Sequence, residues 1–262
     1  VSLKDPEFLE ALKAWDADIF VVVAFRMLPK VVWEMPKLGT FNLHAALLPQ
    51  YRGAAPINWA VINGEYITGV TTFMINEGID TGHIMFRDQC RIEETDTAGD
   101  IHDKLMALGS NLVVQTVESI IDKSVELRLQ KSFIQGSEVL KPAPKLTREL
   151  CHIDWNGKTK DIYNLIRGLS PYPAAFTELT KEGKEPQQMK IFFGEKVTGD
   201  AFNALLAENG RDSAAPGEVL SDGRNYLAIS TEDGAISITD LQLSGKKRMA
   251  VKDFLIGFRD AS

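Results

Sequence analysis

The stretch GTFNLHAALLPQYRGAAPIN, residues 39–58, decides the fold that the rest of the chain must accommodate. Residues 40–44 alternate between polar and apolar side chains, which predicts a short strand with Asn42 and His44 on one face. The apolar run that follows ends at Pro49, so we expect the strand to stop in a loop that can line a pocket. Proline suits the first turn of a helix, and Pro56 therefore predicts a helix start.

This strand end is a candidate active site, because an open α/β sheet places its ligands at the carboxyl ends of its strands. His44 alone is weak support, since a lone histidine at a strand end is more often structural. Further along, Asp80 lies between Gly78 and Gly82, whose backbone freedom allows the loop to point a carboxylate inward. Read alone, Asp80 is a turn residue. Together, an amide, an imidazole and a carboxylate form a set that can transfer an acyl group without a covalent intermediate.

The chain around this segment alternates between strands and helices. Residues 19–24 form a continuous apolar run, which predicts a strand buried on both faces, as in parallel sheets. Such a strand needs earlier partners, so we expect residues to be missing from the amino end. Helices are predicted at 30–35 and 56–62, and a β-branched strand at 68–75. These elements predict an α/β domain with a mainly parallel sheet.

The character of the sequence changes near residue 136. Residues 136–146 contain two prolines and little periodicity, which predicts a linker. We therefore expect a catalytic domain at 1–135, a linker at 136–150 and a second domain at 151–262. In the second domain, a helix at 158–169 precedes five short strands and a closing helix at 249–256, a pattern typical of a small OB-like β-barrel. The predicted strands are 176–179, 189–193, 217–220, 226–230 and 235–241.

Composition limits the classes of function. The net charge is −7, from 36 acidic and 29 basic residues, so any nucleic-acid contact needs a local basic patch. Cys90 and Cys151 have no metal-ligand spacing, which suits a reducing compartment, and no metal is assigned. No targeting or membrane-spanning segment is visible, so we expect a cytoplasmic protein without membrane contact. The candidate patch comprises Lys246, Lys247, Arg248, Lys252 and Arg259.

Three segments carry a resemblance to a known family. Residues 42–65, NLHAALLPQYRGAAPINWAVINGE, and 68–84, TGVTTFMINEGIDTGHI, resemble the folate-dependent formyltransferases, most closely those that act on methionyl-tRNA. Residues 153–176, IDWNGKTKDIYNLIRGLSPYPAAF, extend the resemblance into the second domain. The resemblance implies a Rossmann-like formyltransferase domain followed by an OB-like domain that helps to bind tRNA.

The resemblance also implies roles for individual residues. Asn42, His44 and Asp80 would be the catalytic trio, and residues 25–28 would lie near the pterin. The loop that holds the folate would consist of Ala46, Leu47, Leu48 and Pro49. The implied formyl donor is 10-formyltetrahydrofolate, the implied acceptor is initiator methionyl-tRNA, and the implied state is a monomer. Ala46 departs from the family, in which serine is common, and so does Arg26, where glycine is frequent.

The chemistry gives each member of the trio a separate role. Attack of the methionine α-amine on the formyl carbon develops negative charge on the formyl oxygen, which Asn42 can stabilise by donating an N–H. His44 can take the amine proton. Asp80 would accept from the other ring nitrogen, fixing the tautomer and favouring the charged imidazole.

Other functions remain open at this point. A sugar-nucleotide formyltransferase, or the hydrolase part of a formyltetrahydrofolate dehydrogenase, would carry the same trio. Each usually has a further enzyme domain, for which 262 residues leave no room. A noncatalytic RNA-binding protein could reuse the barrel, but it would have no reason to keep Asn42, His44 and Asp80 together.

Overall fold

The computed structural model describes residues 2–24, 27–180 and 185–257. The chain divides into two compact units. The first comprises the chain up to Ala60, Tyr66–Glu93 and Ile101–Lys145, and the second comprises Val61–Glu65, Glu94–Asp100 and the chain from Leu146 onwards. Within the described ranges, no helix combines the length and apolar character needed to cross a membrane.

Four strands form the sheet of the first unit, in the order β1-β2-β3-β4. The strands are β1 (Phe20–Val23), β2 (Thr40–His44), β3 (Ile67–Met74) and β4 (Ile84–Arg91). The helices in this part of the chain are α1 (Pro6–Lys13), α2 (Lys30–Trp33), α3 (Pro56–Ile62) and α4 (Ala98–Ile121), with a 3-10 helix at Gln130–Phe133. The expected strand at residues 40–44 and helix start at Pro56 are therefore both present.

The pairing pattern confirms the α/β class and refines the expected sheet. β1 and β2 are parallel, as predicted, but β3 is antiparallel to both β2 and β4. The expectation of a mainly parallel sheet is thus corrected to a mixed sheet for the described strands. For the β3–β4 pair the physical reason is that residues 75–83 are too few for a crossover, so these two strands can pair only antiparallel.

The first strand is not buried on both faces. In β1, Val21 is 41% exposed and Val23 is 54% exposed, so the prediction from its apolar run was wrong. β1 pairs only with β2 in the described sheet, and no described residue covers the outer side of these two valines. An apolar run alone therefore does not establish that both faces of a strand are covered.

The second unit is an antiparallel sheet with helices. Its strands are β5 (Ala175–Leu179), β6 (Gln187–Thr198), β7 (Val219–Ser221), β8 (Leu227–Ser230), β9 (Gly234–Leu243) and β10 (Met249–Ala250). Its helices are α5 (Arg148–Cys151), α6 (Thr159–Leu169), α7 (Asp200–Glu208) and α8 (Val251–Gly257). The order is β5-β6-β9-β8-β7, with β10 paired to β9, which agrees with a small barrel-like domain.

All five strands predicted in the second unit are present, and the errors are at the helices. Residues 200–208 form α7, which was not predicted. The closing helix begins at Val251 because Met249 and Ala250 pair with β9 instead. The apolar face of α6, including Ile162 and Ile166, packs with the sheet residues of one large core.

The stretch predicted as a linker, 136–150, is partly tied to the first unit. Lys141 O accepts from Tyr51 N at 2.7 Å, and Ala143 N donates to Arg52 O at 2.8 Å. Ala143 O in turn accepts from Ala54 N at 2.7 Å. These bonds fix the loop that follows β2, so the segment contributes to the geometry of the candidate site.

Candidate active site

His44 ends β2 and is buried, with only 5% of its surface exposed. Its Nε2 lies 2.8 Å from the carbonyl oxygen of Tyr51. A carbonyl can only accept, so Nε2 must carry the proton that is donated. Tyr51 has a φ of +59°, in the left-handed region that few residues other than glycine adopt. The contact therefore leaves Nδ1 as the nitrogen available for proton transfer.

Asp80 faces that second nitrogen from the loop between β3 and β4. Its Oδ2 is 3.8 Å from His44 Nδ1, within ion-pair range but longer than a hydrogen bond. The same oxygen accepts from Gly53 N at 2.9 Å, and Asp80 itself has a φ of +53°. The structure thus brings His44 and Asp80 together, as neighbours without a shared proton.

The environment of His44 keeps its imidazole neutral. Burial lowers the pKa of His44 below its ordinary value, because the charged form loses its hydration. The Asp80 carboxylate and the Tyr51 carbonyl both act to raise the pKa, but by less than burial lowers it. The expected influence of Asp80 is therefore present but outweighed, and near neutral pH the Nδ1 lone pair faces Asp80.

Asn42 lies two residues before His44 on β2, and strand alternation places both side chains on one face of the sheet. The residue is half-buried. Within the described ranges, its side-chain amide has no hydrogen-bond partner in the protein. A partly buried amide with unused donors beside a buried imidazole is well suited to bind a polar ligand atom.

The loop at residues 46–49 is shaped by hydrogen bonds to its backbone. Thr71 Oγ1 donates to Ala46 O at 2.6 Å and accepts from Leu48 N at 3.1 Å. Arg87 Nη1 donates to Leu48 O at 2.8 Å. Ala46, Leu48 and Pro49 are buried, and Leu47 is half-buried. Of the four predicted folate-loop residues, Leu47 therefore offers the most side-chain surface to a ligand.

Gln130 is a residue that the sequence analysis missed. Its side chain is buried, and Nε2 donates to the carbonyls of Asp80 at 2.7 Å and Gly82 at 2.9 Å. Its Oε1 accepts from Arg52 Nε at 3.0 Å and from Arg52 Nη2 at 2.6 Å. A ring of contacts results, running from Gln130 through Arg52 and Gly53 to Asp80 and back. A single glutamine in a polar stretch gives no sequence signal for such a role.

The segment predicted to lie near the pterin, residues 25–28, is only partly described. Residues 25 and 26 are outside the described residues, so this prediction is not tested. A cavity of about 660 Å³ lies beside β4 and includes Leu47, but Asn42, His44 and Asp80 do not line it.

Among the described residues, no cluster of three or more His, Cys, Asp or Glu side chains could hold a metal.

Comparison with known proteins agrees with the two-part architecture. A family model described as Formyl transferase matches residues 1–117, and one described as Formyl transferase, C-terminal domain, matches residues 145–259. The chain is similar in structure to HypX from Aquifex aeolicus in complex with tetrahydrofolic acid, with a TM-score of 0.68. That likeness covers 96% of this chain and 40% of HypX at 20% identity, and at such identity it concerns the fold alone.

Curated relatives are closer in sequence. The chain is 54% identical over 255 residues to the methionyl-tRNA formyltransferase of Azobacteroides pseudotrichonymphae, covering 97% of this chain and 76% of that protein. It is 50% identical over 256 residues to the methionyl-tRNA formyltransferase of Bacteroides fragilis, covering 98% of this chain and 75% of that protein. The chain thus spans about three quarters of the length of these relatives. With half of its residues identical over nearly its whole length and both family domains in order, the chain belongs to the methionyl-tRNA formyltransferase family.

Proposed function

We propose that this chain transfers the formyl group of 10-formyltetrahydrofolate to the α-amine of methionine on initiator methionyl-tRNA, for the initiation of translation. The observation that carries the proposal is the distance of 3.8 Å between Asp80 Oδ2 and His44 Nδ1. His44 lies on β2, the strand that also presents the Asn42 amide, which has no partner among the described residues. Family membership supplies the substrate class, and these three side chains supply the chemistry.

The His44–Asp80 pair acts as the general base. Because Nε2–H is held by the Tyr51 carbonyl, the amine proton goes to Nδ1 as the amine attacks the formyl carbon. The imidazolium that forms lies between a carbonyl and a carboxylate, and closing the 3.8 Å gap to Asp80 stabilises it. Asp80 has 17% of its side chain exposed against 6% for His44, so a substrate reaches the pair from the carboxylate side.

Asn42 stabilises the transition state at the other end of the reacting group. Its amide N–H donates to the formyl oxygen as negative charge develops there. Removal of one such donor in acyl-transfer enzymes costs on the order of 3 kcal/mol in barrier. The folate contacts the loop at residues 46–49, whose backbone is already held by Thr71 and Arg87 and so needs little ordering on binding.

Exposed lysines of the second unit contact the tRNA phosphates. Lys246, Lys247 and Lys252 are exposed. Arg248 is a weaker candidate, because its guanidinium donates to the Asp240 carboxylate and stacks on Phe192. Arg259, predicted for the same patch, lies outside the described residues.

The test is formyl transfer from 10-formyltetrahydrofolate to methionyl-tRNA by the full-length protein and two variants. We expect His44→Ala to lower kcat/KM by about 10²- to 10⁴-fold, because the base is lost. His102→Ala is the matched control, since His102 is exposed on α4 and its ring has a polar contact only with Asp103 among the described residues. Thermal unfolding of both variants separates a lost base from a lost fold.

Two outcomes would contradict the proposal. Folate turnover without tRNA formylation would assign the chain to a sugar-amine formyltransferase or a formyltetrahydrofolate hydrolase. Tight tRNA binding without any folate affinity would indicate a noncatalytic RNA-binding protein.

A further inference from the structure

Arg52 carries a positive charge that the protein orients without neutralising. The residue is half-buried, and its guanidinium donates through Nε and Nη2 to the amide oxygen of Gln130. No carboxylate of the described chain forms an ion pair with it. An amide oxygen aligns a guanidinium but leaves its charge in place, so an anionic ligand would gain the full interaction.

Arg128, two residues from Gln130, shows the contrasting arrangement. Its Nε and Nη2 donate to the Glu126 carboxylate, at 3.2 and 2.8 Å. The same edge of the guanidinium is therefore used at both arginines, but at Arg128 the partner carries a negative charge. Arg128 is also exposed, whereas Arg52 is half-buried. Of these two arginines, Arg52 is the one left with uncompensated charge.

Arg52 also retains donors for a ligand. Of the five N–H groups of a guanidinium, the contacts with Gln130 use one on Nε and one on Nη2. Both donors on Nη1 and the second on Nη2 have no partner among the described residues. These atoms form an edge that matches the two oxygens of a carboxylate or phosphate.

The position of Arg52 relates this charge to the proposed reaction. The next residue, Gly53, donates its N–H to the Asp80 carboxylate, and Gln130 donates to the Asp80 carbonyl. Arg52 is thus one residue along the chain from a direct contact of the general base. An anion bound by Arg52 would belong to the part of a substrate that lies beside the reacting amine or the formyl donor.

We propose that Arg52, aligned by Gln130, binds an anionic group of a substrate next to the His44–Asp80 pair. The inference rests on the proposed function, whose two substrates each carry an anionic group that Arg52 could bind. One is a phosphodiester near the 3′ end of methionyl-tRNA, and the other is a glutamate carboxylate of the folate. Either source would use the same edge of the guanidinium.

The test measures dissociation constants of methionyl-tRNA and of 10-formyltetrahydrofolate for the full-length wild type, Arg52→Met, Arg52→Lys and Arg128→Met. We expect Arg52→Met to weaken one of the two ligands by about 10- to 100-fold, the range for a charged hydrogen-bonding group. Arg52→Lys should give an intermediate loss, because lysine keeps the charge but not the fork. Arg128→Met should match the wild type. The lysine variant keeps the test readable if Arg52→Met folds poorly.

The source of the anion follows from the ligand that is weakened. Weaker tRNA binding identifies the phosphate if the affinity also depends less on salt. The slope of log affinity against log salt concentration should fall by about the amount expected for one phosphate contact. Weaker folate binding that disappears with a pteroate analogue lacking glutamate identifies the carboxylate. Dissociation constants of Arg52→Met equal to those of Arg128→Met for both ligands would overturn the proposal. A wild type that binds both ligands but transfers no formyl group would refute the proposed function alone.

Discussion

The candidate site of the first unit and the main core of the second unit are held by different kinds of contact. In the second unit, one large apolar core joins α6 to the sheet, with residues such as Ile166, Met189 and Ile236 almost fully buried. Near the site in the first unit, one cluster has Leu48, Phe73 and Ile84 as its buried members. Buried polar side chains bond the loops around the site.

The difference shows what the candidate site requires of its surroundings. His44, Thr71 and Gln130 are each 5% exposed or less, and each forms hydrogen bonds to backbone carbonyls of the loops around the site. Such bonds specify direction, whereas apolar contacts specify mainly volume. We therefore expect substitutions of the reacting groups of the site to affect activity more than stability, and substitutions in the core of the second unit to do the reverse.

The largest effect on activity after loss of His44 is expected for Asp80→Asn. The asparagine can still accept from Gly53 N, so the loop should keep its shape, but the imidazolium loses its carboxylate. We expect kcat to fall by about 10²- to 10³-fold, within the usual range for general acid–base groups. The melting temperature should change little.

The pH profile sharpens the same experiment. His44 must be neutral to accept a proton, so the rate falls as pH decreases through its pKa, which burial places below the ordinary value. Asp80 acts to raise that pKa, and its removal should move the acidic limb to still lower pH. An unchanged limb in Asp80→Asn, with unchanged turnover, would mean that the pair does not act as a unit.

In the second unit, Ile236→Ala should show the opposite balance. Ile236 lies on β9 with no exposed surface, so its truncation leaves a cavity in the main core. We expect about 2–5 kcal/mol of lost stability, measured by denaturant unfolding. Ile256→Ala on α8 is the control, since Ile256 is 68% exposed and a change within about 0.5 kcal/mol is expected. A lower kcat in folded Ile236→Ala would contradict the expectation that the core of the second unit affects stability and not activity.

Local patterns explain which features were predictable. Alternation along β2 placed Asn42 and His44 on one face, because strand geometry is a property of adjacent residues. The approach of Asp80 to His44 depends on a loop nearly forty residues later in the chain, which the flanking glycines allowed and the family resemblance implied. The Tyr51 carbonyl, which fixes the proton on Nε2, could not be anticipated, because it is a backbone atom of a residue whose positive φ the sequence does not signal.

The contacts of Gln130 and Thr71 were beyond sequence reasoning for a related reason. Both residues act by hydrogen bonds to backbone atoms, and backbone atoms leave no trace in the sequence of the partner. The exposure of Val23 was missed for the opposite reason, since apolar composition shows what a strand can bury and not what covers it.

Gln130→Met should lower both the stability and kcat moderately, because Gln130 forms hydrogen bonds to both Asp80 and Arg52. The variant leaves the carbonyls of Asp80 and Gly82 without this donor and the Arg52 guanidinium without its acceptor. We expect about 1–3 kcal/mol of lost stability and roughly a tenfold lower kcat. Gln130→Glu separates the contacts, since it keeps an acceptor for Arg52 but offers no donor to Asp80. Wild-type activity in Gln130→Glu would show that the carbonyl contacts do not position the loop.

The smallest effect on activity is expected for Thr71→Val, and its neighbour provides a matched control. Thr71 and Thr72 are adjacent on β3, both have no exposed surface, and each hydroxyl takes part in two hydrogen bonds. Thr71 bonds the backbone of the loop at residues 46–49, whereas Thr72 bonds Thr116 and the backbone of Phe86. Valine removes either hydroxyl and breaks two hydrogen bonds at a buried position, so both variants should lose about 1–3 kcal/mol of stability.

The two variants differ in which part of the chain loses its hydrogen bonds: Thr71→Val releases the loop at residues 46–49, and Thr72→Val does not. The KM for the folate detects this difference. We expect Thr71→Val to raise this KM by roughly 3- to 10-fold, because the loop must then be ordered on binding. Thr72→Val should leave the KM unchanged, since its partners do not reach the loop. Equal KM values in the two variants would mean that the loop backbone does not contact the folate. If Thr71→Val alone binds folate weakly at equal stability, the buried polar groups of the first unit serve the site as well as the fold.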